Sequence, residues 1–453
     1  MFFLNLYRLS WIIVVGIGLL GMAVFLGQAL LDSIDLESIT GNIADNMDMI
    51  SQLSIVLVVL FTVCLLIGWL QVAIISKIGE ELILIVFWVT PFLLVAASLI
   101  LVASTQEINY IGGAIIGIVM FALVVWQRKS IKLSARFVEM GSEIVVTRPS
   151  MFLPQLKSLG YRTLISIFMV FGALLLGAIG IYIHPIVSVI LLIIYEFFYL
   201  FMTSVITQNA NAHNLAYVNQ WYNNTNKNPS YKEATSTVKS LKGPIARFAF
   251  LLTFLGWFKG RGRRTSGFTP FSLFKYMKLS SWPDLLNRIL GGGTSSVAST
   301  AARVVEYLGS YTLVIIIVNK YNSVTQAFKE SMSTVFQTFA ANIAGSIGLN
   351  IVELFRKWFS ILLLFGAGAG YGFLIVAVED EDLIIKILIA IIVGFIFLIF
   401  GYSPLSAMFK PTVQAYQMVL YQGFTGVKKR KTISSRVDKK TQELMKEVFA
   451  KAK

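Results

Sequence analysis

Long apolar runs constrain this chain more than any other feature, because a helix of about twenty apolar residues matches the roughly 30 Å of hydrocarbon in a bilayer. The clearest runs fall at about 10–31, 53–76, 82–103, 109–126, 162–183, 186–207, 357–378 and 383–402. Two weaker ones, at about 295–318 and 332–354, carry more Ser, Thr, Gly and Asn. Composition agrees: 56% of residues are hydrophobic and only 13% charged, too little polar surface to cover a water-soluble globule of 453 residues. A membrane barrel would show short alternating segments instead. The expected fold is an all-α polytopic, multi-pass integral membrane protein with about ten transmembrane helices. The piece PIARFAFLLTFLGWF (244–258) is too short to cross and basic at both ends, so it reads as interfacial or re-entrant.

Charge placement orients these spans. The segment 32–48 contains no Lys or Arg, nor does STQEINY (104–110), and EDED (379–382) is acidic, so these belong outside. Arg128, Lys129, Lys132, Arg136 and Arg148 crowd one loop and Lys259, Arg261, Arg263 and Arg264 another, which belong in the cytosol. Counting crossings puts both termini in the cytosol. The chain then divides into an N-terminal four-helix part (1–126), a basic cytosolic connector (127–161) and two spans with a polar-striped helix (162–222). A cytosolic loop with the interfacial segment (223–294), a C-terminal four-span part (295–425) and a basic cytosolic tail (426–453) follow. The net charge of +15 is thus accounted for by topology, and no nucleic-acid partner is expected. The tail suits a positive-inside terminus, or recognition of anionic lipid. The host membrane is the plasma membrane or an internal one. The first run is expected to be a retained span, having no small-residue cleavage site after it.

One cysteine, Cys64, excludes an intramolecular disulfide, and two histidines make a metal site improbable; no metal or cofactor is expected. Nothing resembles HExxH or another clustered catalytic set, so the chain is not expected to be an enzyme. The run GAGAGYG (366–372) lacks the Lys-Ser/Thr ending of a phosphate loop and lies in a hydrophobic span, where close packing or a hinge is its expected role. Asn223-Asn224-Thr225 matches a glycosylation pattern on the wrong side of the membrane.

The polar residues inside the spans fall on lines. A charged side chain at mid-bilayer costs about 2.5–3.5 kcal/mol on insertion scales, so Glu196, within LIIYEFFYLFMTS (192–204), needs a cavity or a partner. At 100° per residue, Tyr199, Thr203, Thr207, Asn211 and Asn214 share its direction within about 60°. From Ser299 the projection gathers Arg303, Glu306 and Ser310; from Ser331 it gathers Thr334, Thr338, Asn342 and Gly345. Such faces turn away from lipid, toward protein or water. Small polar residues also serve tight helix packing, and Arg303 and Glu306 suit a mutual ion pair; packing alone accounts less well for an acid.

Four stretches carry a resemblance. FMTSVITQNANAHNLAYVNQWY (201–222) has Thr203-Ser204 leading through Asn209 to Trp221-Tyr222; EIVVTRPSMFLPQLKSL (143–159) combines basic residues and prolines before a span. YLGSYTLVIIIVNKYNSVTQAFKES (307–331) is aromatic-rich and ends near Ala327 and Lys329; IIVGFIFLIFGYSPLSAMFKPTVQAYQMVLYQGF (391–424) holds a last span and an amphipathic helix. In this order they resemble the choline transporter-like family, over roughly the C-terminal two-thirds. The long cysteine-bearing outer loop of the animal members is lacking, and Val318 or Asn319 stands where the family has a glycine. The resemblance implies a ten-span core with cytosolic termini and carriage of choline or a related amine. A quaternary ammonium has no N–H, and aromatic faces with a nearby carboxylate hold it. Tyr195, Phe198 and Tyr199 beside Glu196, with Thr203 and, from a later helix, Tyr307 and Tyr311, are the expected substrate-binding residues. Thr207, Asn211, Asn214, Ser299, Arg303, Glu306, Ser310, Thr338 and Asn342 are the expected pathway lining. The alternative is a lipid-handling or scaffold membrane protein that moves no solute.

Overall fold

The computed structural model describes residues 2–32, 36–107, 110–182, 184–224, 227–261, 311–376, 383–430 and 433–450. Among them every regular element is helical, as the run lengths require. In chain order these are α1 (Phe2–Asp32), α2 (Leu36–Thr105), α3 (Ile111–Trp126), α4 (Arg128–Thr147), α5 (Phe152–Tyr182), α6 (Pro185–Asn223), α7 (Tyr231–Ser240) and α8 (Lys242–Arg261). After a helical stretch at 311–319 come α9 (Val324–Gln337), α10 (Phe339–Val376), α11 (Leu383–Lys428) and α12 (Lys439–Ala450). Five segments are long and apolar enough to cross a membrane: Phe2–Phe25, Val58–Thr105, Pro149–Ile179, Pro185–Asn223 and Lys386–Lys428. A sixth is added if α3 and α4, bent by 77° where they meet, form one broken span.

Two breaks expected from the sequence, at 77–81 and 355–356, lie inside continuous helices. A 70-residue helix such as α2 is about 105 Å long, more than three times the hydrocarbon thickness. Its charged stretch Lys77–Glu81 stays helical because the charges find partners: Glu80 pairs with Arg136 of α4 at 2.5 Å. The Glu80 backbone N–H donates to the Glu139 carboxylate at 2.9 Å.

The chain forms two compact units. The first comprises 1–27, 162–209 and 239–333. Its core gathers Val14 of α1, Ile165 and Leu176 of α5, and Tyr195, Met202 and Ile206 of α6. Glycines set the α1–α5 approach: a Cβ on Gly18 would meet Phe168, and one on Gly21 the Phe171 carbonyl. A second cluster packs Phe201 and Val205 of α6 on Ala246 and Ala249 of α8, and the segment 244–258 lies within this 20-residue helix.

The second unit comprises 28–161, 210–238 and 334–453. Here α4 packs against α2, α10, α11 and α12. Read from sequence as a connector, α4 buries Ile131, Leu133, Ala135, Phe137, Val138, Ile144 and Val145. Its basic residues hid that role, because an amphipathic helix of low mean hydropathy reads as a loop beside apolar spans. Gly141 places it against α11, where a Cβ would lie 3.0 Å from the Thr412 carbonyl and the Tyr416 nitrogen. The glycine run packs α10 on α11: Gly368 faces Phe397 and Gly394, and Gly372 faces Val393 and Ala390.

Candidate functional site

The polar line of α6 is half-buried over most of its length. Glu196, Tyr199, Thr203, Thr207 and Asn211 are half-buried and Asn214 fully buried, whereas Ile186, Val189, Ile190 and Ile194 stand exposed. The exposed residues precede Glu196 along the helix, and full burial within the first unit falls on Tyr195, Phe201, Met202 and Val205 rather than on the polar line.

In the first unit the residues around Glu196 divide by role. Tyr195 is 1% exposed, and its hydroxyl lies 3.0 Å from the Val14 carbonyl and 2.9 Å from that of Phe168. A single O–H thereby ties α6 to α1 and α5, and Gly172 makes room for the ring, since a Cβ there would strike it. Phe198 and Tyr199 pack on the same core from half-buried positions. The Tyr199 hydroxyl shares a 2.9 Å hydrogen bond with Ser166 of α5. Phe197 stacks edge-on with Phe198 and Phe250, and Phe201 with Tyr7 and Phe250.

Thr203 donates to the carbonyls of Tyr199 and Leu200 at 3.0 Å, and Thr207 to that of Thr203 at 2.9 Å. Both protons are thus satisfied within the helix, and the hydroxyl oxygens keep lone pairs for an incoming group.

In the second unit the lower end of the line joins a network of amides. Gln155 and Gln414 both donate to the Asn211 side-chain oxygen, at 3.1 and 3.0 Å, and Asn214 donates to Gln414 at 3.3 Å. Gln422 donates to the side chain of Asn219 at 2.6 Å. Asn211 and Asn214, expected to line a path, thus brace α5, α6 and α11. Gln414 and Gln422 were not singled out from sequence, although they fall on one face of α11, eight residues apart.

Tyr311 is buried, and Thr338, also buried, donates to the Thr334 carbonyl at 2.7 Å. Ser299, Arg303, Glu306, Tyr307 and Ser310 lie outside the described residues; Asn342 lies in α10, its side chain outside the description.

The Trp-Tyr pair that closes the motif on α6 anchors the tail. Arg436 stacks 5.7 Å over Trp221 and donates to the carbonyls of Asn224 and Lys227 at 2.9 and 3.0 Å. Asp438 then caps α12: its carboxylate accepts the Thr441 N–H at 2.8 Å and the Thr441 hydroxyl at 2.5 Å. Burial raises its pKa, but these two hydrogen bonds and the nearby Arg136 outweigh burial and hold it below the usual carboxylate value. A shallow groove beside α12 is lined by Lys132, Arg136, Lys440, Thr441, Glu443 and Glu447.

No protein-family model matches the chain, and no curated protein matches it. The four stretches quoted above are what the family resemblance stands on.

Proposed function

We propose that the protein carries or facilitates the passage of choline or a related small organic cation, with Glu196 as the attracting charge. The observation that carries this reading is the half-buried acid on the polar line of an otherwise apolar span, in register with Tyr199 and Thr203. A carboxylate within a span draws positive charge toward it, and a cation with no N–H leaves hydrogen bonding out of its recognition. Phe198 and Tyr199 supply aromatic surface and Thr203 an acceptor oxygen. Tyr195 acts as the brace that fixes the rotation of α6.

In this reading the chain crosses the membrane about ten times with both termini in the cytosol. The Glu80–Arg136 pair supports it, because the charge count puts both the 77–81 stretch and α4 on the cytosolic side. In this topology α2 holds two of the spans.

Uptake of labelled choline into proteoliposomes tests the proposal. Glu196→Gln is expected to reduce uptake at least tenfold and Tyr199→Ala severalfold, with the parent fold retained. Variants that transport like the parent would remove the site.

A second reading, a lipid-handling or scaffold protein, is favoured by the amide network of Asn211, Asn214, Gln155 and Gln414, whose bonds serve packing. Vesicles that move no amine but exchange lipid between leaflets would select it.

A further inference from the structure

The second unit holds a cation that the amine-carrier reading leaves unused. Arg356 of α10 is 3% exposed, yet no Asp or Glu among the described residues comes within salt-bridge distance of it. Its Nε and Nη1 atoms are buried without any hydrogen-bond acceptor. The neighbours it does have are the Phe409 ring, 5.2 Å from the guanidinium carbon, and the Tyr402 side chain, both on α11. Glu353, one turn earlier, is exposed and attracts it only at longer range.

The surroundings are built around this side chain. One turn on, Ser360 donates to the Arg356 carbonyl at 2.7 Å and accepts from Gln71 of α2 at 3.2 Å. The other polar atom of Gln71, its side-chain oxygen, is also buried and unbonded. Three helices converge closely here. A Cβ on Gly68 of α2 would lie 2.9 Å from Met408 of α11, and one on Gly401 of α11 would meet Leu364 of α10 and Cys64 of α2. Two residues beyond Arg356, the aromatic side chains of Trp358 and Phe359 stand 41% and 47% exposed, followed by Leu362 at 70%. Exposed Trp between a charged turn and an apolar run marks the level of lipid head groups.

Apart from its hydrogen bond with Tyr402 the guanidinium has no acceptor, and a buried cation without a carboxylate partner costs several kcal/mol even after relaxation. Stacking on one phenyl ring returns about 2 kcal/mol at most. The shortfall calls for an anion with several acceptor oxygens, and a phosphoryl group meets a guanidinium best of the common biological anions. We infer that Arg356, with Tyr402 beside it, binds a phosphoryl group at the head-group level of the junction between α2, α10 and α11. Its source is either a phospholipid head group or a free phosphate. The inference is independent of the amine-carrier reading, which rests on residues of the first unit.

The test is thermal unfolding of the full-length protein, stripped of lipid in a maltoside detergent, titrated in separate arms with inorganic phosphate and with a short-chain phosphatidylglycerol. The parent is expected to gain stability in at least one arm. A response to lipid alone assigns a head group, and a response to inorganic phosphate assigns a free ion. Arg356→Met is expected to raise the midpoint concentration at least tenfold, while its melting temperature without ligand equals or exceeds the parent's, because an unpaired charge has been removed. Arg356→Lys is expected to keep the response at about tenfold higher ligand, since an ammonium offers charge without the planar fork. A parent that responds in neither arm, an Arg356→Met variant that responds like the parent, or one that melts lower without ligand would overturn the inference.

Discussion

Residue by residue, the stretch around Glu196 shows how one helix separates structure from chemistry. Tyr195 and Glu196 are adjacent, so their side chains point about 100° apart: the tyrosine enters the α1–α5–α6 core and the acid keeps partial access. Sequence reading grouped them as one aromatic site, because proximity along the chain is visible there and direction relative to neighbours is not. Tyr195→Phe removes one buried hydroxyl that contacts two carbonyls. It should lower stability by about 0.5–1.5 kcal/mol in denaturant titration while leaving the KM for choline uptake within twofold. A raised KM at unchanged stability would instead place Tyr195 against the substrate.

At the level of elements, the tail is the clearest gain over the sequence. A strongly basic C terminus reads as a cytosolic tail with a short terminal helix, and the structure adds its docking: α12 buries Thr441, Met445 and Phe449, and Phe449 meets Phe424 of α11 edge-on at 5.7 Å. Apolar residues four apart in an otherwise charged dozen were the available signal. Asp438→Ala removes the cap and should weaken docking by about 0.5–2 kcal/mol. Trypsin cleavage at Lys439 and Lys440 then speeds up roughly two- to thirtyfold at neutral pH. The lowered pKa of Asp438 sets the sign with pH: the cap's contribution is complete above the unfolded carboxyl's value, near 3.8, and is lost as pH falls through the lower folded value. Tail protection should therefore hold constant from neutral pH down to about pH 4 in the parent. A decline between pH 7 and 5 would point to other groups.

For the whole molecule, the number of crossings is the property most in need of a direct measurement. Run length and charge bias argue for about ten spans, while the helices themselves run on through two of the expected turns. Single cysteines in a Cys64→Ala background separate the possibilities. Lys77→Cys and Arg430→Cys, both at exposed positions, should label with a membrane-impermeant maleimide only from the cytosolic side, and Thr105→Cys only from outside. Labelling of Lys77→Cys from outside would undo the cytosolic placement of the Glu80–Arg136 pair.

The amino-acid order alone determined the helical class, the lengths of the apolar segments and the polar line on α6, because these follow from composition and a 100° repeat within one segment. Tertiary structure alone decided that α4 is a core helix, that Asn211 meets Gln155 and Gln414, that α12 docks, and that Arg356 is buried beside Phe409. Asn211 and Gln414 are 203 positions apart. Partners so distant are chosen by which faces the packed helices bring together, and no local pattern in either segment encodes that choice.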